Sequence, residues 1–472
     1  MTDNHLHAKV SRRSLLRGAA LGLGGLGTAG LFAHGGLFAG EPAVASAPIT
    51  GLQPHHAPKA KSLIWLMWGG GPSQFDWITY KPELTKNAGK SLDLGGGKTG
   101  KIIAPEVSFK QHGESGLWVS ELFPGFASVA DELCVIESMK CDNAGHPGAF
   151  KQMLTGYDGK PMPSLASWIV YGRGAANPNL PASVNLMGGS GSSGFLPAST
   201  QGVSLDLQAK PPSDGSLSTT RRMLDAIGEH NQMFGVNYDF ADVLSARTAA
   251  GELGYRMITA APEAIDLSKE SQATRDLYGI DEPENFGGKS SLEVPVLNIG
   301  GHKKEYAERC LMARRLVERG VRVVTMELGG RRGWDHHNHV KAGMTINAKV
   351  VDRAIGGLIA DLKQRGLLQT TIVAIGGEFG RTPFLQGTLG RDHYPRAYTW
   401  VVAGGGFKRG FVYGQSDELG KEVVGDKVHV TDLHATLMWQ LGLDHKRLAY
   451  KVGGTDVLPG ERFTQVHHGM LA

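Results

Sequence analysis

The 472-residue chain has only three cysteines, Cys134, Cys141 and Cys310. An odd count this low excludes a disulfide framework as the source of the fold and leaves at most a Cys134–Cys141 bridge in an oxidising compartment. Their spacing suits no zinc motif, so they read as structural. Charge of one sign is also scarce: 49 Lys and Arg against 45 Asp and Glu give a net charge of +4. Two of those units fall in the first 47 residues, where Lys9, Arg12, Arg13 and Arg17 face Asp3 and Glu41. With no basic arm or stripe, nucleic acid is not expected as a partner. Long apolar runs are missing too. The stretch Gly18–Phe32 is broken repeatedly by glycine and soon meets His34, short of the ~20 continuous apolar residues a membrane span needs.

What is present starts at the N-terminus. Ser11-Arg-Arg-Ser-Leu-Leu-Arg17 precedes that Gly/Ala/Leu stretch, and Ala43-Val-Ala45 and Ala45-Ser-Ala47 both offer small-x-small cleavage sites. The combination resembles a twin-arginine signal, which engages the export machinery for folded proteins. Residues 1–47 are therefore expected to be a signal peptide and residues 48–61 a loose leader. The mature protein is expected to be periplasmic or secreted, with no stable membrane span after cleavage.

Glycine is abundant, 67 residues, about twice average usage, which forecasts many turns and long loops. Ser62–Trp68, Val321–Leu328, Thr371–Ile375 and Tyr398–Ala403 are short apolar runs that end in glycines or polar turns, the pattern of strands buried on both faces. Glu305–Arg319 is read as a helix. Ala348–Arg365 sets Val351, Ile355, Leu358, Ile359 and Leu362 on one helical stripe, with Gly366 as its C-terminal stop. Strand and helix alternating in this way predicts an α/β domain over residues 62–472, with a mostly parallel sheet and helices on both faces. Residues 157–300 read as a loop-rich insertion, with helices over Thr219–Met233 and Ala261–Gln272.

Ligands of such sheets bind beyond the carboxyl ends of the strands, so the residues that follow each strand carry the chemistry. Asp335, His336, His337 and His339 form the densest group of metal-capable side chains. Oxygen with imidazole nitrogen suits zinc, manganese or iron, whereas the bland alternative is a solvated His-rich loop. Glu378 follows the strand at Thr371 and would bind metal, act as a base or cap a turn. Asp392 and His393 sit in a similar polar cluster. Ser73 and Asp76, after Gly69-Gly-Gly-Pro72, read as polar lining. Arg381 and Arg391 are candidates to hold an anionic group by paired hydrogen bonds, or else to hold Glu378 or Asp392. His146 reads as ligand, base or loop residue.

Taken together, Gly69–Asp76 followed by Lys81-Pro, Gly333-Trp-Asp-His-His337, Gly377–Pro383, Gly390–Pro395 and Asp432–Thr436 resemble the bacterial family called domain of unknown function 1501. That family looks like a branch of the alkaline phosphatase and sulfatase superfamily, so the resemblance implies an alkaline-phosphatase-like three-layer fold and a divalent-metal site. It places Glu378 and Phe379 where the superfamily has an Asp-His metal pair. Asp335 with His337 or His339, His393 and Asp76 would be further ligands, with Asp76 the nearest substitute for an aspartate missing among Gly69–Gly71. The nucleophile place falls near His146, where no Ser, Thr or Cys stands. One metal and a water nucleophile is then the economical mechanism.

Two functions follow from this reading. The first is a metal-dependent hydrolase of sulfate or phosphate esters, acting on a small molecule or polysaccharide, with His146, Glu378 and Asp392 as catalytic groups and Ser73, Arg381 and Arg391 facing the substrate. The second is a catalytically inactive relative that serves as a periplasmic binding or structural protein. A mutase-like transferase is a distant third.

Overall fold

The computed structural model describes residues 51–95, 98–159, 161–188, 191–205, 214–235, 248–249, 251–256, 259, 265–283, 303–328, 333–460 and 464–472. Residues 1–47, expected to be a signal peptide, lie outside these residues. No helix among the described residues is long and apolar enough to cross a membrane.

The sequence Ser62-Leu-Ile-Trp-Leu-Met-Trp68 forms β1, and all seven residues are buried. Its side chains alternate between two cores. Ile64, Leu66 and Trp68 enter one apolar cluster, and Leu63, Trp65 and Met67 enter the other. Burial on both faces is why the run reads as continuously apolar rather than alternating. The other strands of the main sheet are β2 (Leu133–Lys140), β3 (Ser183–Met187), β4 (Val203–Ser204), β5 (Val323–Leu328), β6 (Thr371–Gly376), β9 (Tyr398–Gly404), β10 (Phe411–Tyr413) and β11 (Val428–His429). A separate hairpin pairs β7 (Gly380–Gln386) with β8 (Gly390–Tyr394).

The sheet runs β10-β2-β9-β6-β1-β5-β3-β4, with β11 also against β2. β1 lies parallel between β6 and β5, and β3 continues parallel beyond β5. Among the described strands of this sheet only β9 is reversed, antiparallel to both β6 and β2. The expected mostly parallel sheet is therefore present, with one strand of opposite sense that composition does not reveal.

Helices cover both faces. α1 (Pro124–Ser128), α6 (Lys303–Glu318) and α7 (Val340–Gln364) pack on the Ile64 side. α2 (His146–Thr155), α3 (Leu165–Arg173) and α8 (Val430–Gln440) pack on the Trp65 side. α7 begins eight residues before the expected start. Its stripe of Val351, Ile355, Leu358, Ile359 and Leu362 is fully buried, and Gly366 follows its end at φ +69°, a left-handed residue just past the helix. α1 approaches α7 closely: a Cβ on Gly356 would meet the Gly125 carbonyl oxygen at 2.6 Å. Asp352, on α7, accepts the amides of Gly125 and Phe126 at 2.5 and 3.0 Å.

Behind the sheet, Arg314 Nε sits 2.9 Å from Asp361 Oδ2, and Tyr278 donates to that same oxygen at 3.0 Å. This buried ionic knot ties α6 to α7. In the region expected to be loop-rich, α4 (Asp214–Gly235) matches the helix expected over Thr219–Met233. The helix expected over Ala261–Gln272 is not seen in its described part: Leu267–Lys269 is a 3-10 turn, and α5 starts only at Gln272 and ends at Tyr278. The Ser at 271 caps α5 through its side chain, which ends the preceding segment rather than extending it. All three cysteines are buried and unbridged.

Candidate metal centre at the strand ends

Segments that leave the carboxyl ends of three strands of the main sheet meet the β7–β8 hairpin at one place. After β2 comes His146, the first residue of α2. After β5 comes Asp335 with His337, after β6 comes Glu378, and His393 arrives from the β7–β8 hairpin. The hairpin sits tightly on the Asp335 segment, since a Cβ on Gly390 would lie 1.9 Å from the His337 carbonyl oxygen.

The geometry centres on Asp335. Its Oδ1 lies 2.8 Å from His337 Nε2 and 3.0 Å from His393 Nε2, and its Oδ2 lies 3.1 Å from His146 Nε2. His337 Nε2 and His393 Nε2 are 3.0 Å apart. On the far side of each ring, Nδ1 meets an acceptor. His146 Nδ1 donates to Glu378 Oε1 at 2.7 Å, His393 Nδ1 to the Ala144 carbonyl at 2.7 Å, and His337 Nδ1 to Gln386 Oε1. A neutral imidazole that donates through Nδ1 keeps a lone pair on Nε2. Three lone pairs thus converge on a carboxylate that also accepts from Arg381 at 2.7 Å, and none of these four groups can donate to another unless protons or a cation are supplied.

Protons supply that charge when no cation does. Burial opposes charge on His146, but the Asp335 and Glu378 carboxylates outweigh it and lift the ring to about 9. Asp335 also holds His337 above its ordinary value. Burial favours the neutral form of Asp335, yet the three imidazoles and Arg381 hold its carboxyl well below the usual range. A divalent cation would take the place of these protons.

The donor chemistry fits such a cation. Three imidazole nitrogens and one carboxylate suit zinc, manganese or iron. Tetrahedral bonds of about 2.0–2.1 Å put donor atoms roughly 3.3 Å apart, close to the 2.8–3.1 Å from the Asp335 oxygens to the three rings, and His146, Asp335 and His393 offer ligand atoms within 4.8 Å of one another. Asp392, at the exposed rim with its Oδ1 3.7 Å from His337 Nδ1, completes a second grouping with His337 and His393. Phe379, expected at a former histidine place, walls the site, its ring centroid 4.9 Å from His146 and 4.5 Å from His393.

Several expected site residues stand elsewhere. His339 takes φ +49° as the residue that opens α7 and lines a surface groove with Glu106, Lys341 and Leu389, outside the cluster. Asp76, expected as a ligand, is fully buried. It accepts from Ser73 Oγ at 2.5 Å and from Arg391 Nε at 3.1 Å. Ser73 and Arg391 are therefore locked to a carboxylate beneath the site rather than facing a substrate. Arg391 also lies over the Phe75 ring at 5.1 Å. Arg381 is 0% exposed and donates to the carbonyls of Gly70, Gly71, Trp334 and Arg391 and to Asp335 Oδ1. Its guanidinium holds loops together and does not reach solvent. Glu378 is 0% exposed as well, with both oxygens taken by the Gly70 and Gly71 amides.

Sequence reasoning missed Gln386 and the Ala144 carbonyl, which orient two of the rings. Nothing local marks Gln386, because only the hairpin register that sets it opposite Gly390 brings it to His337.

No curated protein matches the chain significantly. Among solved structures it is similar to Ps i-CgsB, solved in complex with k-i-k-neocarrahexaose, at 8% identity and a TM-score of 0.35, over 81% of this chain and 72% of that one. It is also similar to a protein in the alkaline phosphatase superfamily from Vibrio parahaemolyticus, at 9% identity and a TM-score of 0.32, over 86% and 73%. A third is the alkaline phosphatase from the Antarctic bacterium TAB5, at 12% identity and a TM-score of 0.29, over 76% and 95%. Likeness this loose carries no argument about chemistry. The family described as "Protein of unknown function (DUF1501)" matches residues 60–467, and the chain belongs to that family.

Proposed function

We propose that this chain is an exported metal-dependent hydrolase of phosphate or sulfate esters. The observation that carries the reading is the set of three imidazoles, each anchored through Nδ1 and each turning Nε2 toward Asp335. His146, His337, His393 and Asp335 would hold the cation. A divalent cation supplies Lewis acidity toward an ester oxygen and offsets its negative charge.

The chain's own groups define the rest. α2 begins at His146, so the positive end of its dipole lies at the site and favours an anionic substrate. Arg381, behind Asp335 at 2.7 Å, keeps that carboxylate oriented. A protein nucleophile is disfavoured. Ser73 is buried against Asp76, and burial pushes the Cys141 thiol up to about 12, far from the thiolate that attacks. Water is then the attacking group, and Asp392 is the exposed carboxylate placed to take its proton.

A second reading draws on the donor count. Four protein donors is the number typical of a structural metal site, so a cation here would also pin three segments of a binding or structural protein.

Metal content by mass spectrometry, for wild type and Asp335→Ala, tests both readings, followed by a screen of aryl phosphates, phosphodiesters and sulfates. One equivalent of zinc, manganese or iron, lost in the variant and accompanied by hydrolysis, supports the enzyme. Bound metal whose removal lowers stability, with no hydrolysis of any ester, supports the structural role. A folded wild-type protein that takes up no metal overturns both.

A further inference from the structure

We infer that Glu378 is a positioning residue that selects which ring nitrogen His146 turns toward the cation position. This rests on the metal-centre reading above and departs from the expectation that Glu378 is itself a ligand.

The carboxylate is fixed independently of the histidine. The Gly70 amide lies 2.9 and 3.1 Å from the two Glu378 oxygens, and the Gly71 amide lies 3.2 Å from Oε2. Those amides are presented by a turn after β1 in which Gly70 and Gly71 have φ of +109° and +67°. A Cβ on Gly70 would meet the Trp334 amide nitrogen at 2.5 Å, and one on Gly71 would meet the Phe379 ring at 2.5 Å. Only glycine serves at either position, so the two donors are built into the fold. With Glu378 buried and held in this way, Oε1 still accepts from His146 Nδ1 at 2.7 Å.

A carboxylate offers no proton of its own, so His146 must donate through Nδ1. The lone pair of the neutral ring is then on Nε2, the atom 3.1 Å from Asp335 Oδ2. A carboxylate partner also makes the imidazole a stronger donor toward a cation than the neutral acceptors on His337 and His393 can.

Glutamine at this position reverses the logic while keeping the shape. Its single oxygen is claimed by the two backbone amides, which leaves its NH2 group facing His146 Nδ1. That nitrogen must then accept, and the ring proton moves to Nε2, where Asp335 Oδ2 can take the hydrogen bond. The variant is satisfied without metal, but His146 has lost its free lone pair.

The test uses zinc(II) as the probe, with the full-length exported protein carrying 15N-labelled histidine. Affinity is read by competition with a chromophoric chelator, and the coordinating nitrogen is read from the His146 ring 15N shifts of the zinc-loaded form. Wild type is expected to bind zinc with His146 through Nε2. Glu378→Gln is expected to bind about 10–100-fold more weakly, with the coordination shift of His146 lost. Equal affinity with Nε2 still coordinated in the variant overturns the inference and leaves the metal centre standing. If Glu378→Gln does not fold, wild type decides: coordination through Nδ1 overturns the inference, and coordination through Nε2 supports it. A wild-type protein that binds no zinc, manganese or iron removes the metal-centre reading and this inference together.

Discussion

Replacing Arg381 by lysine keeps the positive charge and removes the planar fork of donors. In the native protein that fork reaches five acceptors, the carbonyls of Gly70, Gly71, Trp334 and Arg391 and the Asp335 carboxylate. They lie in two loops and one hairpin, and Arg381 is fully buried among them. A lysine ammonium has three donors at a single point, so at least two acceptors lose their partner. Each buried group left unpaired costs about 1–3 kcal/mol. Lysine also draws the charge back from Asp335, which weakens a mostly buried ion pair. Breaking such a pair outright costs about 3–5 kcal/mol, so the lysine variant is expected to lose about 3–5 kcal/mol in all. Urea unfolding followed by tryptophan fluorescence measures this, with metal-free and zinc-loaded protein compared so that scaffold and site are separated. A variant within about 0.5 kcal/mol of wild type refutes the scaffold role. Unchanged stability with a raised KM for an anionic ester would restore Arg381 as a substrate-binding residue.

Two further predictions concern the helix pair behind the sheet. Burial lifts Asp352 to about 7, partly offset by the amides of Gly125 and Phe126, whereas an unfolded aspartate titrates near ~3.9. Between those values the folded state holds the extra proton, so stability is greatest at the acid end and falls as pH rises from about 4 to 7; urea midpoints across that window should lose this slope in Asp352→Asn, and an identical slope would refute it. Gly356→Ala would gain about 1 kcal/mol if helix propensity ruled. Its Cβ meets the Gly125 carbonyl oxygen at 2.6 Å, so a net loss of about 1–3 kcal/mol is expected, and a raised thermal midpoint would contradict the close helix contact.

The parts of the fold that were legible are those that bury both faces or one clean stripe. β1, β5, β6 and β9 were readable because burial on both faces keeps their runs mostly apolar, with Thr325 and Glu327 in β5 and Thr399 in β9 as single interruptions, and α7 because its apolar residues keep the helical period. β2 was missed, since Glu137 and Ser138 break the apolar run Leu133-Cys-Val-Ile136. Glu137 pairs with Lys81 at 3.5 Å, a partner that only the tertiary structure supplies. The reversed sense of β9 was invisible because pairing direction leaves no mark on a buried strand. At the site, residue type was the readable part: Asp335, His337, His393 and His146 all had chemistry worth singling out. Direction was not readable. His337 and His339 are equivalent in sequence, but the turn into α7 sends one to Asp335 and the other to the surface. Arg381 and Arg391 looked like anion binders because charge attracts notice, and their burial depends on loops drawn from distant parts of the chain.

The cysteines carry a consequence for how far this fold depends on oxidation. Cys134 lies near the start of β2 and Cys141 just past its end, roughly 23 Å apart at about 3.3 Å per residue. A disulfide needs Cα atoms within about 7 Å, so no bridge between them can form without dismantling β2. Burial also pushes the Cys134 and Cys141 thiols up to about 12, and Cys310 likewise lies well above the ordinary thiol value, so none offers a thiolate to an oxidant at neutral pH. The fold therefore draws no stability from a disulfide, and its three thiols stay buried and unbridged.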